Sequence, residues 1–444
     1  MKRKGLILLL IALLPCASLT AAETLRLSLE EAIFLGLANS TGIKSKALAV
    51  LKARVDIQAA RSSYFPSLSA GVNWIHLFEE IEPTPIIGGY TIPRDPVTLS
   101  LDLGQTLYTF GKIKNSVRIA GEGLKLAELD LTEEKRSLVN QIQRAFYGYI
   151  LAGEVVQING QTLSSKLDAL EVAKKKFAAG ISSDFEVLQA EADVESFKPT
   201  VISTQNQVKI TLLTVKNLLG IEEEDETEIE PAGSLELDDI LFRKNELVKT
   251  ALENKYDIKS FNQRRRLVEI QKQLTRSSRL PTITASLVYR LTSGLDSATG
   301  KNKYWGKDSW NGTLSGEINV QIPVSPFFPW SMENAENKKS LIELEELKLG
   351  YDSLISGLKL NIETILLKLE EEKLKITSSR KGVELSQRLY DSAEEQYARG
   401  VISTIGLKDA QLGLNSAQLA YIQTIFNYKM AVIDLMDAVG VNHF

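Results

Sequence analysis

Two copies of one layout follow each other along the chain, and this internal duplication limits the possible folds more than any other feature. The pattern Arg-Ser-Ser-x-x-Pro ends at Pro66 and again at Pro281, 215 positions later. Two further motifs, Phe/Tyr-x-x-Gly and an apolar-Gly-apolar triplet, recur 220 positions apart, with their glycines at Gly180 and Gly400 and at Gly220 and Gly440. A unit of about half the chain is too long for a solenoid repeat of roughly 20–50 residues. The sequence therefore predicts two tandem repeats with pseudo-twofold organisation.

The N-terminus has the pattern of a secretory signal. Basic residues at positions 2–4 precede an apolar stretch at 5–14, and the small residues around Ala22 come just before Glu23. This order of charged, apolar and small residues predicts a signal peptide at 1–22 that is cleaved after Ala22. Cys16 leaves a lipoprotein alternative open, but Pro15 disfavours acylation because a lipidation site needs a small flexible residue there.

Composition narrows the chemistry of the mature chain. Loss of the three basic residues at 2–4 takes the formal net charge from −4 to −7, which gives no general attraction for nucleic acid. Cleavage also removes the only cysteine, and His76 and His443 are the only imidazoles. Metal clusters and Cys-His dyads are therefore disfavoured. We expect no enzymatic activity, no cofactor, no bound metal and no nucleic-acid partner.

The first repeat is predicted to span residues 23–221 and to combine helices with strands. Helices are predicted at 27–39, where Ser28 and Glu31 match a capping box, and at 43–63. After Pro66 the apolar period changes from roughly 3.6 to 2. This change predicts strands at about 67–79 and 97–107, each with one apolar and one polar face.

A long helical hairpin is predicted at about 111–219. Apolar or small residues recur in alternating steps of four and three, as in a coiled-coil seam, at Leu138, Ile142, Ala145, Tyr149, Ala152 and Val156. The pattern breaks at Gly180, where a short turn folds the second arm back on the first. Pro199 is expected to kink or interrupt that second arm.

The second repeat is predicted to span residues 240–441 and to follow the same order. An acidic stretch at 222–239 is the predicted linker between the repeats. Helices are predicted at 239–254 and 257–277, strands at about 282–291 and 313–324, and a second long helical hairpin at about 332–439. The fold class predicted is mainly α with a small β portion.

The alternation of the four strands matches the apolar-out, polar-in pattern of outer-membrane β-barrels, although a soluble sheet covered by helices gives the same pattern. The long helices are predicted to pack on each other, which leaves little to cover such a sheet. Four strands cannot close a barrel in lipid, where every backbone group must be paired. We therefore expect several copies of the chain to share one barrel, with the polar faces lining a water-filled pore.

The signal peptide, the duplicated helix-helix-strand-strand-helix-helix order and the Phe/Tyr-x-x-Gly turns together resemble the TolC family of outer-membrane efflux proteins. The resemblance covers essentially the whole mature chain. It implies a homotrimer in the outer membrane that extends into the periplasm, with a twelve-stranded transmembrane barrel and an α-helical tunnel. It also implies two protein partners, a periplasmic adaptor and an inner-membrane transporter.

The resemblance implies a gate at the periplasmic end. In that family, acidic residues six and nine positions after the second turn glycine surround a constriction. Here these positions hold Gly406 and Asp409, and the equivalents in the first repeat are Glu186 and Gln189. The implied periplasmic gate is thus Asp409, repeated three times, with Glu186 and Gln189 nearby. In a plainer alternative, the two carboxylates only stabilise the first turns of their helices.

Two further sets of residues follow from the resemblance. The hairpin turns resemble docking sites for adaptor hairpins, and their residues are Phe177, Gly180, Ile181, Ser182, Tyr397, Gly400, Val401, Ile402 and Ser403. The family has a basic residue where this chain has Ile402, so the contacts of the closed state must differ. The strand residues Asp102, Arg290 and Glu317 are candidates for lining the pore.

Two other functions fit parts of the pattern. A periplasmic adaptor or coiled-coil scaffold would also carry a signal peptide and a long hairpin, but it would need one hairpin rather than two. An outer-membrane exit duct for type I protein secretion would share every feature of an efflux channel.

Overall fold

The computed structural model describes residues 25–76, 78, 95–221, 229–235, 242–295, 302–306 and 309–443. The predicted signal peptide at 1–22, with Cys16, lies outside the described residues, as does most of the predicted acidic linker. The described chain is mostly helical with a small β portion, which confirms the predicted fold class.

The helices of the two repeats match in length. Each repeat has helices of 11, 22, 67 and 36 residues in that order. Their bounds are α1 Leu29–Asn39, α2 Thr41–Ser62, α3 Lys112–Ala178, α4 Asp184–Leu219, α5 Lys244–Asn254, α6 Tyr256–Ser277, α7 Met332–Ala398 and α8 Thr404–Val439. None of these described helices combines the length and the apolarity that crossing a membrane would take.

The capping box at the start of α1 is present. The Ser28 hydroxyl accepts a hydrogen bond from the Glu31 backbone N–H at 3.3 Å, and the Glu31 carboxylate accepts one from the Ser28 N–H at 2.8 Å. These backbone and side-chain hydrogen bonds lower the pKa of Glu31. The local sequence thus sets where α1 begins, as predicted.

The predicted interruption at Pro199 is wrong, because α4 continues through this residue. A proline inside a helix removes one backbone hydrogen bond and crowds the preceding turn. Here Val194 and Val201 are buried on either side of Pro199. Tertiary packing of this kind holds a helix together where local propensity alone would end it.

Seven strands are present in the described chain. They are β1 Leu25–Leu27, β2 Ser67–Trp74, β3 Val97–Tyr108, β4 Ile229–Pro231, β5 Thr282–Leu295, β6 Asn302–Lys303 and β7 Trp310–Gln321. β1 and β4 form a short parallel pair. β2, β3, β5 and β7 form an antiparallel sheet in that order, and the two-residue β6 pairs with the end of β5.

Several strand boundaries differ from the sequence prediction: β5 extends to Leu295 rather than 291, and β2 and β7 end early near prolines. β2 ends at Trp74, earlier than the predicted 79, and the next backbone N–H, of Ile75, donates to the Pro96 carbonyl. Pro96 has no N–H to return, so the ladder stops there. β7 begins at Trp310 rather than 313 and ends at Gln321 rather than 324, just before Pro323.

The register places the apolar residues of the four long strands on one face, except Val288, which lies opposite Asp102. Leu101 lies opposite Ala70 on one side and opposite Tyr289 on the other, and Tyr289 in turn lies opposite Leu314. Since successive residues of a strand point to opposite faces, the intervening polar residues share the second face. The sheet therefore has one apolar and one polar side.

The chain divides into two compact units. The first comprises residues 1–40, 138–241 and 367–434, and the second comprises 41–137, 242–366 and 435–444. The first unit contains α1, α4 and the hairpin turns, and its core includes the fully buried Ile142, Val215 and Leu219. The second unit contains the sheet, with α2, α5 and α6.

Candidate functional site

The first tip turn, residues 177–183, closes the hairpin of the first repeat. Gly180 has φ +74°, a left-handed conformation that glycine adopts without strain. Its N–H donates to the Phe177 carbonyl at 2.8 Å, and the Ile181 N–H donates to the Lys176 carbonyl at 2.9 Å. These two bonds satisfy carbonyls at the end of α3 and stop the helix.

The second tip turn, residues 397–404, has the same backbone geometry. Gly400 has φ +75°, its N–H donates to the Tyr397 carbonyl at 3.0 Å, and the Val401 N–H donates to the Gln396 carbonyl at 2.9 Å. The Ser403 hydroxyl then accepts a 3.4 Å hydrogen bond from the Gly406 N–H at the start of α8. Both repeats therefore build the same turn, down to its hydrogen bonds.

The side chains of the two tip turns differ in burial. Ile181 and Val401, which directly follow the glycines, are 76% and 70% exposed. Phe177 is 47% exposed, whereas the equivalent Tyr397 is only 6% exposed. Ser182 and Ile402 are half-buried, and Ser403 is exposed. The tips thus present apolar side chains at the surface, but Tyr397 is not one of them.

Tyr397 is buried because it belongs to the packing within the second hairpin and to a contact with the first. It clusters with Ala393, Leu407 and Ala410. The Lys176 ammonium lies 3.8 Å from the centre of the Tyr397 ring and 3.4 Å from its backbone carbonyl oxygen. A cation over an aromatic face is attracted by the ring. This contact joins the last turn of α3 to the last turn of α7.

The predicted gate residues occupy different helical positions. Glu186 is the third residue of α4 and half-buried, whereas Asp409 is the sixth residue of α8 and exposed. Gln189, the sixth residue of α4, is half-buried. The helix dipole acts mainly within the first turn. The helix dipole therefore favours Glu186 in the first turn of α4, whereas Asp409 lies beyond the first turn of α8.

A charged group near the tips was missed by the sequence prediction. Lys408 of α8 forms a 2.5 Å ion pair with Asp193 of α4, and Lys166 of α3 lines the same small cavity. A signal for Lys166 was present: steps of seven from Ala152 reach Asn159, Lys166 and Ala173, all of which are buried. A lysine at a seam position marks a polar site inside a coiled coil.

The three predicted pore-lining residues lie on the polar face of the sheet. Asp102 accepts a 2.8 Å hydrogen bond from the Ser100 hydroxyl, and Ser100 is the cross-strand partner of Arg290. Glu317 lies opposite Ser286. Asp102, Arg290 and Glu317 therefore share one surface, with both signs of charge on it. No group of His, Cys, Asp or Glu that could hold a metal occurs in the part of the chain that the structure describes.

Comparison with known proteins identifies the family. Residues 33–221 and 247–441 match the family described as outer membrane efflux protein, so both repeats are covered. The chain is 22% identical to the toxin and drug export protein A of Aggregatibacter actinomycetemcomitans, over 75% of this chain and 70% of that protein. It is also 22% identical to the pyoverdine export outer membrane protein OpmQ of Pseudomonas aeruginosa, over 78% of this chain and 70% of that protein.

A solved structure has the same fold. The Campylobacter jejuni CmeC outer membrane channel aligns with a TM-score of 0.77 and 18% identity, over 93% of this chain and 85% of that one. Two helical hairpins joined to a four-stranded sheet thus define a protein with the fold of an outer-membrane channel. The chain belongs to the outer membrane efflux protein family, and it is an outer-membrane channel for efflux.

The family assignment also removes one of the two other functions left open by the sequence. A periplasmic adaptor or scaffold is not supported, since the family match extends over both hairpins and their strands. The family consists of channels, which are not enzymes as a class.

Proposed function

We propose that three copies of the chain form one exit duct, with a twelve-stranded barrel in the outer membrane and a helical tunnel in the periplasm. The sheet carries this proposal. In the order β2-β3-β5-β7, the outer strands β2 and β7 each have one long-strand neighbour within the described residues. An open edge is not tolerated in lipid. Pairing β2 of one copy with β7 of the next closes the ring, and the apolar face then contacts lipid.

The test is the mass of the purified protein in detergent together with its single-channel conductance in planar bilayers. We expect a trimer that forms discrete, cation-selective pores. A monomer without pore activity would contradict both the shared barrel and the duct.

The same proposal assigns a periplasmic gate to Asp409, with Glu186 and Gln189 beside it. Asp409 is exposed and has no ion-pair or hydrogen-bond partner among the residues that the structure describes. Threefold repetition around an axis brings three carboxylates together, where they repel one another and attract cations. Such a ring would narrow the entrance of the tunnel and favour the passage of cations.

Adaptor docking is assigned to the two tip turns. Ile181 and Val401 are exposed apolar residues held on rigid backbone turns, and Phe177 is half-exposed beside them. Apolar anchors of this kind carry much of the energy in protein interfaces. The partner is a periplasmic adaptor protein that connects the duct to an inner-membrane transporter.

The polar face of the sheet is assigned to the lumen of the barrel. Asp102, Arg290 and Glu317 would then line the pore, where charged side chains tune ion selectivity. They exclude neither sign of solute strongly, because the three include both carboxylates and a guanidinium.

Export of a protein cargo is a second candidate function, and one observation favours it. The relative from Aggregatibacter actinomycetemcomitans is named for export of both toxin and drugs. The two cargo classes separate in cells that lack their own exit duct. Restored resistance to small toxic compounds without restored protein secretion supports small-molecule efflux, and the reverse supports type I secretion.

A further inference from the structure

Three helices line a small, partly open cavity one to three helical turns from the tips. Lys166 of α3, Asp193 of α4 and Lys408 of α8 line it together with Thr404 and Gln411. The cavity volume is about 30 Å³, which is enough for a ligand the size of a water molecule or a monatomic ion.

The charges around the cavity do not balance. Lys408 pairs with Asp193 at 2.5 Å, so the single carboxylate is already matched by one ammonium. Lys166 is 8% exposed, and its ammonium has no hydrogen-bond acceptor among the described residues. The centre of the Phe197 ring lies 5.4 Å from this ammonium. One positive charge thus remains in excess.

Burial of an ammonium without a counter-charge is costly. Burial lowers the pKa of Lys166, Asp193 opposes this effect, and the neighbouring Lys408 adds to it. An ammonium also has three N–H donors to satisfy. No acceptor from the described residues meets these donors, and a small negative ligand would supply both the charge and the acceptor.

The start of α8 adds a second reason for an anion. Thr404 is the first residue of α8 and lines the cavity. The first backbone N–H groups of a helix have no partner within it, and they favour negative charge. Two lysines and the first residue of a helix hence line the same small space.

We propose that this cavity binds one chloride ion between Lys166 and Lys408. The ion balances the charge and accepts hydrogen bonds from the Lys166 ammonium. It ties α3 and α4 of the first repeat to α8 of the second. The site is independent of the proposed gate at Asp409, so either can fail without the other.

The direct test is crystallographic. Crystals of the full-length mature protein are soaked in sodium bromide, and anomalous diffraction is recorded at the bromine absorption edge. We expect one anomalous peak in the cavity of every protomer, within hydrogen-bonding distance of the Lys166 ammonium. An empty cavity, or one holding only a water without anomalous signal, would overturn the proposal.

Thermal unfolding gives an independent test. The apparent Tm is measured in sodium chloride and in sodium gluconate at equal ionic strength. Binding to the folded state alone raises stability, and we expect an apparent Tm higher by about 2 °C in chloride. Lys166→Met should abolish the difference, whereas Lys174→Met, an exposed lysine of the same helix, should keep it. Equal Tm values in both salts, or a difference that survives in Lys166→Met, would contradict the site.

Discussion

The same backbone motif occurs where each hairpin turns, at the tips, and where each hairpin finishes, at the roots. It has a different role in the two places. The roots are residues 219–221 and 439–441, where α4 and α8 end. Gly220 and Gly440 have φ +67° and +82°, and each is followed by the same pair of closing hydrogen bonds as the tip glycines. A Cβ at Gly440 would lie 2.8 Å from the Lys255 Cα, whereas a Cβ at Gly400 would meet nothing within 4 Å.

This difference separates two roles of glycine. At the tips it supplies only a left-handed residue, and the surrounding surface stays open. At the roots it also removes a side chain, so that Asn39 packs against Gly220 in the first unit and Lys255 against Gly440 in the second. The tip surface is therefore available to a partner, while each root is filled by its own chain.

The largest effect is expected from alanine at the root. Gly440→Ala forces a left-handed alanine and a clash with the backbone at Lys255, and should lower the free energy of unfolding by about 3 kcal/mol. Gly400→Ala forces only a left-handed alanine, with no clash, and should lower the free energy of unfolding by about 1 kcal/mol. Urea unfolding of both variants in one detergent measures the two values. Equal losses would remove the distinction between tip and root.

A second prediction concerns function at the tips. Asp409→Asn removes a ring of three proposed charges, and unit charges about 4 Å apart in water interact by about 1 kcal/mol. We expect the cation-to-anion permeability ratio in planar bilayers to fall roughly fivefold. Glu191→Gln is the matched control, because Glu191 is an exposed carboxylate of α4 outside the proposed gate. An unchanged ratio in Asp409→Asn would contradict the gate.

The third prediction concerns the ion cluster at the second root. The Asp437 carboxylate accepts hydrogen bonds from Arg136 at 2.8 Å and from Lys255 at 3.2 Å. Burial raises the pKa of Asp437, but Lys255 and Arg136 outweigh it, so the pKa is lowered overall. A depressed pKa gives stability that is present above the unfolded value near 4 and is lost as the pH falls through the folded value.

We therefore expect the unfolding free energy to fall on acidification below about pH 4, with an Asp437 contribution below about 1 kcal/mol after solvent screening. Asp437→Asn should lack this part of the pH dependence. Glu171→Gln, which breaks an exposed pair with Lys175, should leave the profile unchanged. An acid profile of Asp437→Asn identical to that of the wild type would disprove the role of the cluster.

The sequence predicts the elements of the fold well because each carries a local signal. Pro66 and Pro281 mark the change from helix to strand, and Gly180 and Gly400 mark the turns. The continuity of α4 through Pro199 could not be predicted, since it depends on the burial of Val194 and Val201, which is set by tertiary packing. The shift of β7 depends likewise on pairing along β5.

The positions of the tip turns could be predicted from the sequence, but the burial of their side chains could not. The equivalence of Phe177 and Tyr397 in the two repeats suggests equal exposure, yet only Tyr397 packs into its own hairpin. Lys408 and Asp193 lie 215 positions apart, and nothing local to either residue indicates the pair. Contacts between helices of different repeats are set by tertiary structure, which periodicity does not encode.

The smallest effect on stability is expected at the tip surface. Ile181→Ser and Val401→Ser alter exposed side chains, so each should change the free energy of unfolding by less than about 0.5 kcal/mol. Each should nevertheless weaken efflux in cells that depend on this channel, because the proposed adaptor contact loses an apolar anchor. Phe34→Ser, at an exposed apolar residue of α1, is the control and should leave efflux intact. Normal efflux in the Ile181→Ser, Val401→Ser double variant would move the docking site away from the tips, and with it the reason that the tip glycines are left unpacked.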